Sequence, residues 1–159
     1  MLIRPAVAAD NEVIWQIIGP TIRAGETYAL PPDWTEAEAL AYWHSPGHTV
    51  FVAEDGAVVG TYYIRPNQRG GGDHVANCAF MTAVSATGRG VAGAMCAHAV
   101  QYAAAAGYKA LQFNFVVSTN ARAVALWRRF GFEIAGRLPG AFRHPTLGPV
   151  DALVMYRAL

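Results

Sequence analysis

Two periods of hydrophobicity run along the chain, and they divide it into helices and strands. Apolar residues recur every three to four positions in four segments that begin near a polar capping residue or an acidic turn, which predicts helices. The predicted helices cover residues 11–18, 35–43, 91–106 and 118–130. Asp10 is the expected N-terminal cap of the first helix, and Gly107 and Gly131 lie where the last two should end.

Short runs of β-branched and aromatic residues lie outside these helices and predict seven strands. The predicted strands cover residues 2–6, 49–54, 57–66, 74–84, 109–117, 133–138 and 151–158. The second and third flank Asp55-Gly56, a dipeptide typical of a β-hairpin, so this part of the sheet is expected to be antiparallel. The order of elements is then β-α-α-β-β-β-α-β-α-β-β.

Length and composition limit the classes of protein that fit. A chain of 159 residues can bury one hydrophobic core but is too short for a nucleotide domain with a separate substrate domain, so residues 1–159 are expected to form a single domain. Apolar residues make up 53% and charged residues 14%, as in a compact globular protein. A net charge of +1, without a basic run longer than two residues, argues against nucleic acid and anionic membranes as partners.

The cysteines and the N-terminus bear on location and metal binding. Cys78 and Cys96 form neither a CxxC motif nor a Cys/His cluster with metal-ligand spacing, so no metal is expected. The N-terminal residues lack the apolar core of a signal peptide, and the longest apolar stretch, 97–107, is interrupted and short for a membrane span. We therefore expect a reduced, cytoplasmic protein.

A glycine motif, Gly88-x-Gly90-x-x-Gly93, stands between a predicted strand and a predicted helix. Its spacing matches the dinucleotide-binding fingerprint, but that fingerprint belongs to a first strand–helix unit and is followed by an acidic residue about 20 positions on. Here at least three strands come first, and strand 109–117 has no acid at its end. Two interpretations remain: a tight turn that serves packing, or an anion site at the helix N-terminus.

The element order and two local motifs resemble the GCN5-related N-acetyltransferase superfamily over essentially the whole chain. Residues 87–92, TGRGVA, are similar to its Q/R-x-x-G-x-G/A loop, and Asn120 followed by ARAVALWRRFGF is similar to its N-x-x-A-x-x-L-Y-x-x-x-G-F helix. The resemblance implies an α/β fold with a mixed, mainly antiparallel central sheet of about seven strands and about four flanking helices. It also implies that two middle strands splay apart to admit acetyl-CoA, the acetyl donor.

The same resemblance assigns the residues that bind acetyl-CoA. The backbone at the end of strand 74–84 should bond the pantetheine arm, the glycine loop should hold the pyrophosphate, and the asparagine before the last helix should lie near the thiol. These residues are Phe80, Met81, Thr82, Gly88, Arg89, Gly90, Val91, Ala92, Gly93 and Asn120. The residues themselves agree, because Arg89 offers a cation to phosphate.

Two residues depart from the superfamily pattern. Thr87 replaces a long Gln or Arg side chain that would reach a phosphate. Trp127 replaces the tyrosine that is commonly assigned to protonate the leaving thiolate. An indole N–H is a donor but no practical acid, so the proton is expected to come from elsewhere, with water as the candidate.

A narrower resemblance, to the azetidine-2-carboxylate (proline-analogue) N-acetyltransferases, rests on GTYYIRPN, NCAF, AGYKALQFNFVVSTN and PVDALVMYRAL. It implies a small amino acid or cyclic imino acid as the acceptor. Asn77 and Asn114, amides in otherwise apolar strands, are then expected to bind the substrate by donating amide N–H groups to its carboxylate. Asn77 is expected to bind the carboxylate or the imine nitrogen and to position the nucleophile. The alternative for Asn77 is an amide that bridges a bulge in the sheet.

Other candidate residues carry weaker signals. Four aromatic residues are expected on the acceptor side if loop 24–34 covers the cleft, although core packing explains part of this set equally well. They are Tyr28, Trp34, Tyr42 and Trp43. Asp73 and His74 are the nearest titratable groups to strand 74–84, and a solvated pair is favoured over a general base. Cys78 is interpreted as a small buried hydrophobe, so acetyl transfer is expected to be direct.

These features predict an acetyl-CoA-dependent N-acetyltransferase acting on the amine of a small molecule. Two rival functions remain. One is acetylation of a protein or peptide amine. The other is a catalytically silent acyl-CoA-binding module, which the missing tyrosine and the missing strand carboxylate would permit. By resemblance to the superfamily, a homodimer is also expected.

Overall fold

The computed structural model describes all 159 residues and contains the helices and strands in the predicted order. They are β1 (Leu2–Pro5), α1 (Asn11–Ala24), α2 (Glu36–Trp43), β2 (Thr49–Glu54), β3 (Val58–Pro66), β4 (Val75–Thr82), α3 (Val91–Ala105), β5 (Ala110–Val117), α4 (Ala121–Arg129), β6 (Glu133–His144) and β7 (Gly148–Ala158). Three 3-10 turns, at Ala8–Asp10, Gly70–Gly72 and Val84–Ala86, connect them.

All seven strands join one sheet in the order β1-β2-β3-β4-β5-β7-β6. Every neighbouring pair is antiparallel except β4 and β5, which are parallel. The predicted α/β class, with a mixed and mainly antiparallel sheet of seven strands and four α-helices, is confirmed. None of these helices has the length and hydrophobicity needed to span a membrane.

The parallel pair, β4 and β5, has the shortest pairing in the sheet. β4 and β5 are in register at only two positions, Val75 with Ala110 and Ala76 with Leu111. Beyond Ala76 the strands diverge, while β5 stays paired with β7 through an irregularity between Phe113 and Val116. The predicted splaying of two middle strands therefore lies between β4 and β5.

Two hydrophobic cores cover the two faces of the sheet. The larger core lies under α3 and α4 and includes Cys78 and Phe80 of β4. The second lies under α1 and α2 and includes Ala79 and Met81 of the same strand. The alternation along β4 places Asn77 on the face of Ala79 and Met81, as the sequence pattern indicated.

Two local predictions were wrong. α1 continues to Ala24 although Pro20 lies inside it, because the helix face that carries Ile17, Ile18 and Ile22 is buried against the second core. Asp10 precedes α1 but its side chain does not cap the helix.

The carboxylate of Asp10 is bound elsewhere. It accepts a hydrogen bond from the N–H of Val7, at 2.8 Å, and forms an ion pair with Arg4. These contacts tie the chain between β1 and α1 to the first strand, and they explain why the side chain is unavailable to the helix.

The hairpin of β6 and β7 is also longer than predicted. Pairing extends beyond the apolar segment as far as His144 with Gly148. Most residues in the added part of β6 are exposed. Backbone hydrogen bonds, rather than alternating hydrophobicity, define these strand ends, so the sequence pattern did not indicate them.

Candidate active site

A cleft of about 820 Å³ opens where β4 and β5 diverge. Residues of the loop after α1, of both strands, of the glycine loop and of α4 line it. All of the predicted site residues except Arg89 are among them: Tyr28, Asn77, Phe80, Met81, Thr82, Gly88, Gly90, Val91, Ala92, Gly93, Asn114 and Asn120. The fold therefore brings residues from distant parts of the chain to one cleft.

The glycine loop shapes one end of the cleft. Gly88 and Gly90 have φ values of +83° and +81°, a left-handed conformation that side chains rarely adopt. Gly90 is also the N-terminal cap residue of α3, and it supplies no side-chain hydrogen bond to the helix. The N–H groups of Val91, Ala92 and Gly93 in the first turn have no backbone acceptor within the helix. This end of the cleft is suited to an anion because these donors and the helix dipole point to the same place.

The cation at this end is not the one that the sequence indicated. Arg89 forms an ion pair with Asp55 in the β2–β3 turn and does not line the cleft. Arg122 of α4 lies beside the loop instead: a methyl group added to Gly88 would be 4.0 Å from its Nη2 atom. Arg122 and Arg129 both line the cleft, so α4 rather than the loop supplies the cations.

The backbone of β4 faces the gap at alternate residues. The Tyr28 hydroxyl donates to the carbonyl oxygen of Phe80 at 2.6 Å and accepts from its N–H at 3.0 Å. Phe80 therefore turns its backbone toward the gap, and Thr82, two residues on, does the same. Met81 turns its backbone toward Thr61 of β3, so only its side chain faces the cleft.

This arrangement changes the roles expected at the cleft. Of the three β4 residues predicted to bond the pantetheine arm, Phe80 and Thr82 have the required direction and Met81 does not. The groups of Phe80 are bound by Tyr28, a residue that sequence reasoning placed on the acceptor side alone. Burial raises the pKa of the Tyr28 hydroxyl, so this group is a neutral donor rather than a base.

Asn77 sits where the β4–β5 pairing ends. Its Nδ2 donates to the carbonyl oxygen of Gln112 at 3.0 Å, in place of the next hydrogen bond between the strands. This contact resembles the bridging role considered above, yet the residue also lines the cleft. One of its two N–H groups is used in this way, so Asn77 can offer a ligand the second N–H, a donor, and the Oδ1 atom, an acceptor.

Asn114 belongs to a chain of three amides across the gap. Its Oδ1 accepts from Gln112 Nε2 at 2.9 Å, and its Nδ2 donates to Asn67 Oδ1 at 2.7 Å. Asn67 is itself buried. The amides of Asn77 and Asn114 thus do converge on the gap, but each already donates one N–H to an acceptor in the protein.

Asn120 has a local structural role as well as a place in the cleft. Its Oδ1 accepts from the N–H of Ala123 at 3.4 Å, which makes it the N-terminal cap of α4. It lines the cleft at the start of α4, the helix that also carries Arg122.

Aromatic residues form the apolar wall of the cleft. Trp127 packs against Phe80 and Phe113, with ring centroids 5.2 and 5.1 Å apart. Of the four aromatic residues expected near the acceptor, Tyr28 and Tyr42 line the cleft, whereas Trp34 and Trp43 do not. Trp43 is fully buried and donates to Thr61 Oγ1, so core packing accounts for it.

The cleft contains no general base of the usual kind. No Asp, Glu or His lines it, and Asp73 and His74 are exposed outside it. Cys78 lines the cleft, but burial raises the pKa of its thiol well above the ordinary value, which disfavours a thiolate nucleophile. The only charged residues that line the cleft are Arg65, Arg122 and Arg129.

Sequence reasoning missed all three of these arginines, and Arg129, like Arg122, is exposed on α4. Arg122 is exposed on α4 and gave no signal beyond its charge. Arg65 lies directly opposite Asn77 in the antiparallel register of β3 and β4. β3 and β4 are consecutive along the chain, so assuming that they pair as antiparallel neighbours is the one signal that would have pointed to Arg65.

Residues 14–132 match the model of the Acetyltransferase (GNAT) family. The chain is 31% identical over 99 residues to N-acetyltransferase aca1 of Schizosaccharomyces pombe, a match that covers 62% of this chain and 47% of the yeast protein. The chain therefore spans about half the length of that relative. With most of its length matched by the family model, the chain belongs to the Acetyltransferase (GNAT) family, and the predicted superfamily is confirmed.

Solved structures agree with this assignment. A GCN5-related N-acetyltransferase from Kribbella flavida superposes with a TM-score of 0.94 at 42% identity, over 99% of this chain and 97% of its own. A phosphinothricin acetyltransferase from Sinorhizobium meliloti, whose structure contains acetyl-CoA, has a TM-score of 0.88 at 24% identity, over 99% of this chain and 88% of its own. The second likeness concerns the fold.

Proposed function

We propose that this protein transfers the acetyl group of acetyl-CoA directly to the amine of a small amino acid or cyclic imino acid. The observation that carries the proposal is the cleft between β4 and β5, which has free helix N–H groups and arginines at one end and the amide of Asn77 farther along β4. The resemblance to the azetidine-2-carboxylate acetyltransferases and the absence of carboxylates in the cleft support a small acceptor that is not a polycation.

The residues of the cleft fit acetyl-CoA. The N–H groups of Val91, Ala92 and Gly93, with Arg122 beside them, would bind the pyrophosphate. The gap-facing backbone of Thr82, and that of Phe80 once Tyr28 releases it, would bond the pantetheine arm as a strand bonds its neighbour. Asn120 would lie between these two parts on α4.

The chemistry that this site supports is attack by a neutral amine. The amine nitrogen bonds to the acetyl carbonyl carbon, the carbon–sulfur bond breaks, and coenzyme A leaves as a thiolate. Asn77 Oδ1 would orient the amine by accepting a hydrogen bond from one of its N–H groups. Because no carboxylate or imidazole lines the cleft, the amine proton would pass to water, and water would protonate the thiolate.

The mechanism predicts a particular pH dependence. With no enzyme base, kcat/KM should rise about tenfold per pH unit up to the pKa of the acceptor amine. A profile that instead levels off near pH 6 to 7, about the ordinary pKa of histidine, would show that an enzyme base is used and would contradict this mechanism.

The acceptor class is tested by thiol release with a panel of amines. Azetidine-2-carboxylate and other small amino acids should be acetylated faster than polyamines, aminoglycosides or peptides. Activity confined to peptides would favour protein acetylation, and labelled acetyl-CoA added to a lysate, with mass spectrometry, would identify such targets. Binding of acetyl-CoA without turnover on any amine would favour the silent module, which the missing base and Trp127 motivate.

Location and assembly are part of the proposal. Both cysteines are free and buried, which suits a reducing compartment, and we propose the cytoplasm; cell fractionation tests this. We also propose a homodimer, by resemblance to the superfamily. Light scattering at high protein concentration should give twice the mass of the chain, and a monomeric mass would refute it.

A further inference from the structure

Arg65 is a cation in the cleft without a partner in the protein. It lines the cleft and is partly buried, yet none of the four ion pairs and none of the side-chain hydrogen bonds includes it. By contrast, Arg4, Arg89 and Arg137 are each paired with a carboxylate. A partly buried guanidinium with no acceptor loses hydration that nothing in the protein replaces.

The position of Arg65 relates it to the acceptor rather than to the phosphates. It stands opposite Asn77 in the β3–β4 register, so its side chain shares the α1–α2 face of the sheet. The glycine loop leads into α3 on the other face. Thr82, at the end of β4 that leads to this loop, is five residues beyond Asn77, a distance of about 17 Å along a strand.

The residues around Arg65 leave its positive charge available to an anionic ligand. Tyr63, on the same face of β3, lines the cleft, and His48 stacks on its ring with centroids 3.9 Å apart. Burial, with a contribution from the positive charge of Arg65, lowers the pKa of His48. The nearby imidazole is therefore neutral, and no acidic side chain of the cleft competes for the guanidinium.

We propose that Arg65 binds the carboxylate of the acceptor and thereby selects amino and imino acids over simple amines. A guanidinium matches a carboxylate with two parallel hydrogen bonds, which fixes both position and orientation. The neighbouring Asn77 Oδ1 would accept a hydrogen bond from the amine. Arg65 and Asn77 together would then recognise an amine and a carboxylate that are attached to one carbon. This inference rests on the proposed function and names the group that determines its substrate class.

The test compares Arg65→Gln with a matched control, Arg69→Gln. Arg69 is an exposed arginine in the following loop that does not line the cleft. For each protein, kcat and KM are measured for azetidine-2-carboxylate and for its methyl ester, which keeps the amine and removes the negative charge. Acetyl-CoA affinity is measured by calorimetry, and thermal unfolding serves as a check on folding.

Wild type and Arg69→Gln should prefer the acid to the ester. Arg65→Gln should lower kcat/KM for the acid by about 10- to 100-fold, the loss typical of a charge-assisted hydrogen-bonded pair, mostly through KM. Its preference for the acid should disappear while acetyl-CoA affinity and melting temperature stay at the wild-type values. Arg65→Lys, which keeps the charge but not the paired donors, should recover part of the loss.

Three results would overturn the role of Arg65. Arg65→Gln that still prefers the acid would do so, as would Arg65→Gln whose main defect is weaker acetyl-CoA binding, because Arg65 would then belong to the donor site. The third is a wild-type enzyme that acetylates no small amino acid, and this result overturns the proposed function as well. The first two leave the proposed function standing, so the two failures are distinguishable.

Discussion

Gly60, near the start of β3, lies close against the first turns of α3. A methyl group added to Gly60 would lie 2.7 Å from Val91 Cγ1 and 3.0 Å from both Met95 Cε and Met95 Sδ. Met95 is flexible, but Val91 is β-branched, buried and fixed at the first position of α3. Ordinary carbon–carbon contact is about 3.5–4.0 Å, so Gly60→Ala should push the start of α3 outward by roughly 1 Å.

The energetic effect follows from this displacement. Overpacking a core typically costs about 1–3 kcal/mol, and a strand gains about 0.5–1 kcal/mol when alanine replaces glycine. The mid-range net destabilisation is about 1 kcal/mol, within limits of about 0–2.5 kcal/mol, and it lowers the melting temperature by roughly 2–4 °C for a chain of this size. Since the N–H of Val91 belongs to the proposed phosphate site, acetyl-CoA should also bind about 10-fold more weakly, or roughly 1.4 kcal/mol.

Gly71→Ala is the matched control for this substitution. Gly71 also has a conformation open to alanine, but an added methyl group meets nothing within 4 Å. Thermal and urea unfolding, followed by circular dichroism, give the stability of each variant, and calorimetry gives the acetyl-CoA affinity. The double variant Gly60→Ala/Val91→Ala should lose less unfolding free energy than the two single variants lose in sum, because the second substitution removes the clash. Equal stability of Gly60→Ala and Gly71→Ala would refute the reasoning.

Three further predictions concern the cleft and two partly buried histidines. Asn77→Ala should reduce turnover on small amino acids by about 10- to 1000-fold with nearly unchanged acetyl-CoA affinity; full activity would contradict its role. Gly90→Glu should abolish acetyl-CoA binding in calorimetry, because it strains a left-handed position and adds a negative charge at the anion site; unchanged affinity would remove that assignment. Burial lowers the pKa of His48 and His98, so the unfolded chain binds protons that the folded chain does not, and the unfolding free energy should fall between about pH 7 and 5. His98→Gln should flatten this decline, and an unaltered slope would speak against His98.

The sequence determined the order of the elements and the backbone of the glycine loop. Helical and strand periods are local properties, so the eleven helices and strands could be predicted, with errors at their ends. The positions of Gly88 and Gly90 were also local, because a left-handed residue requires glycine whatever surrounds it. Asn77 could be identified for a similar reason, since an amide in an apolar strand needs a partner wherever that strand lies.

Tertiary structure decided which side chains meet in the cleft. Tyr28 reaches Phe80 across 52 positions of sequence, and Arg89 is drawn away from the cleft by Asp55 across 34. Arg122 takes the place expected for Arg89 because α4 packs beside the glycine loop. Arg65 lies opposite Asn77 only because of the register between β3 and β4. Contacts of this kind depend on how helices and strands pack, and packing is a property of the whole core that no local period encodes.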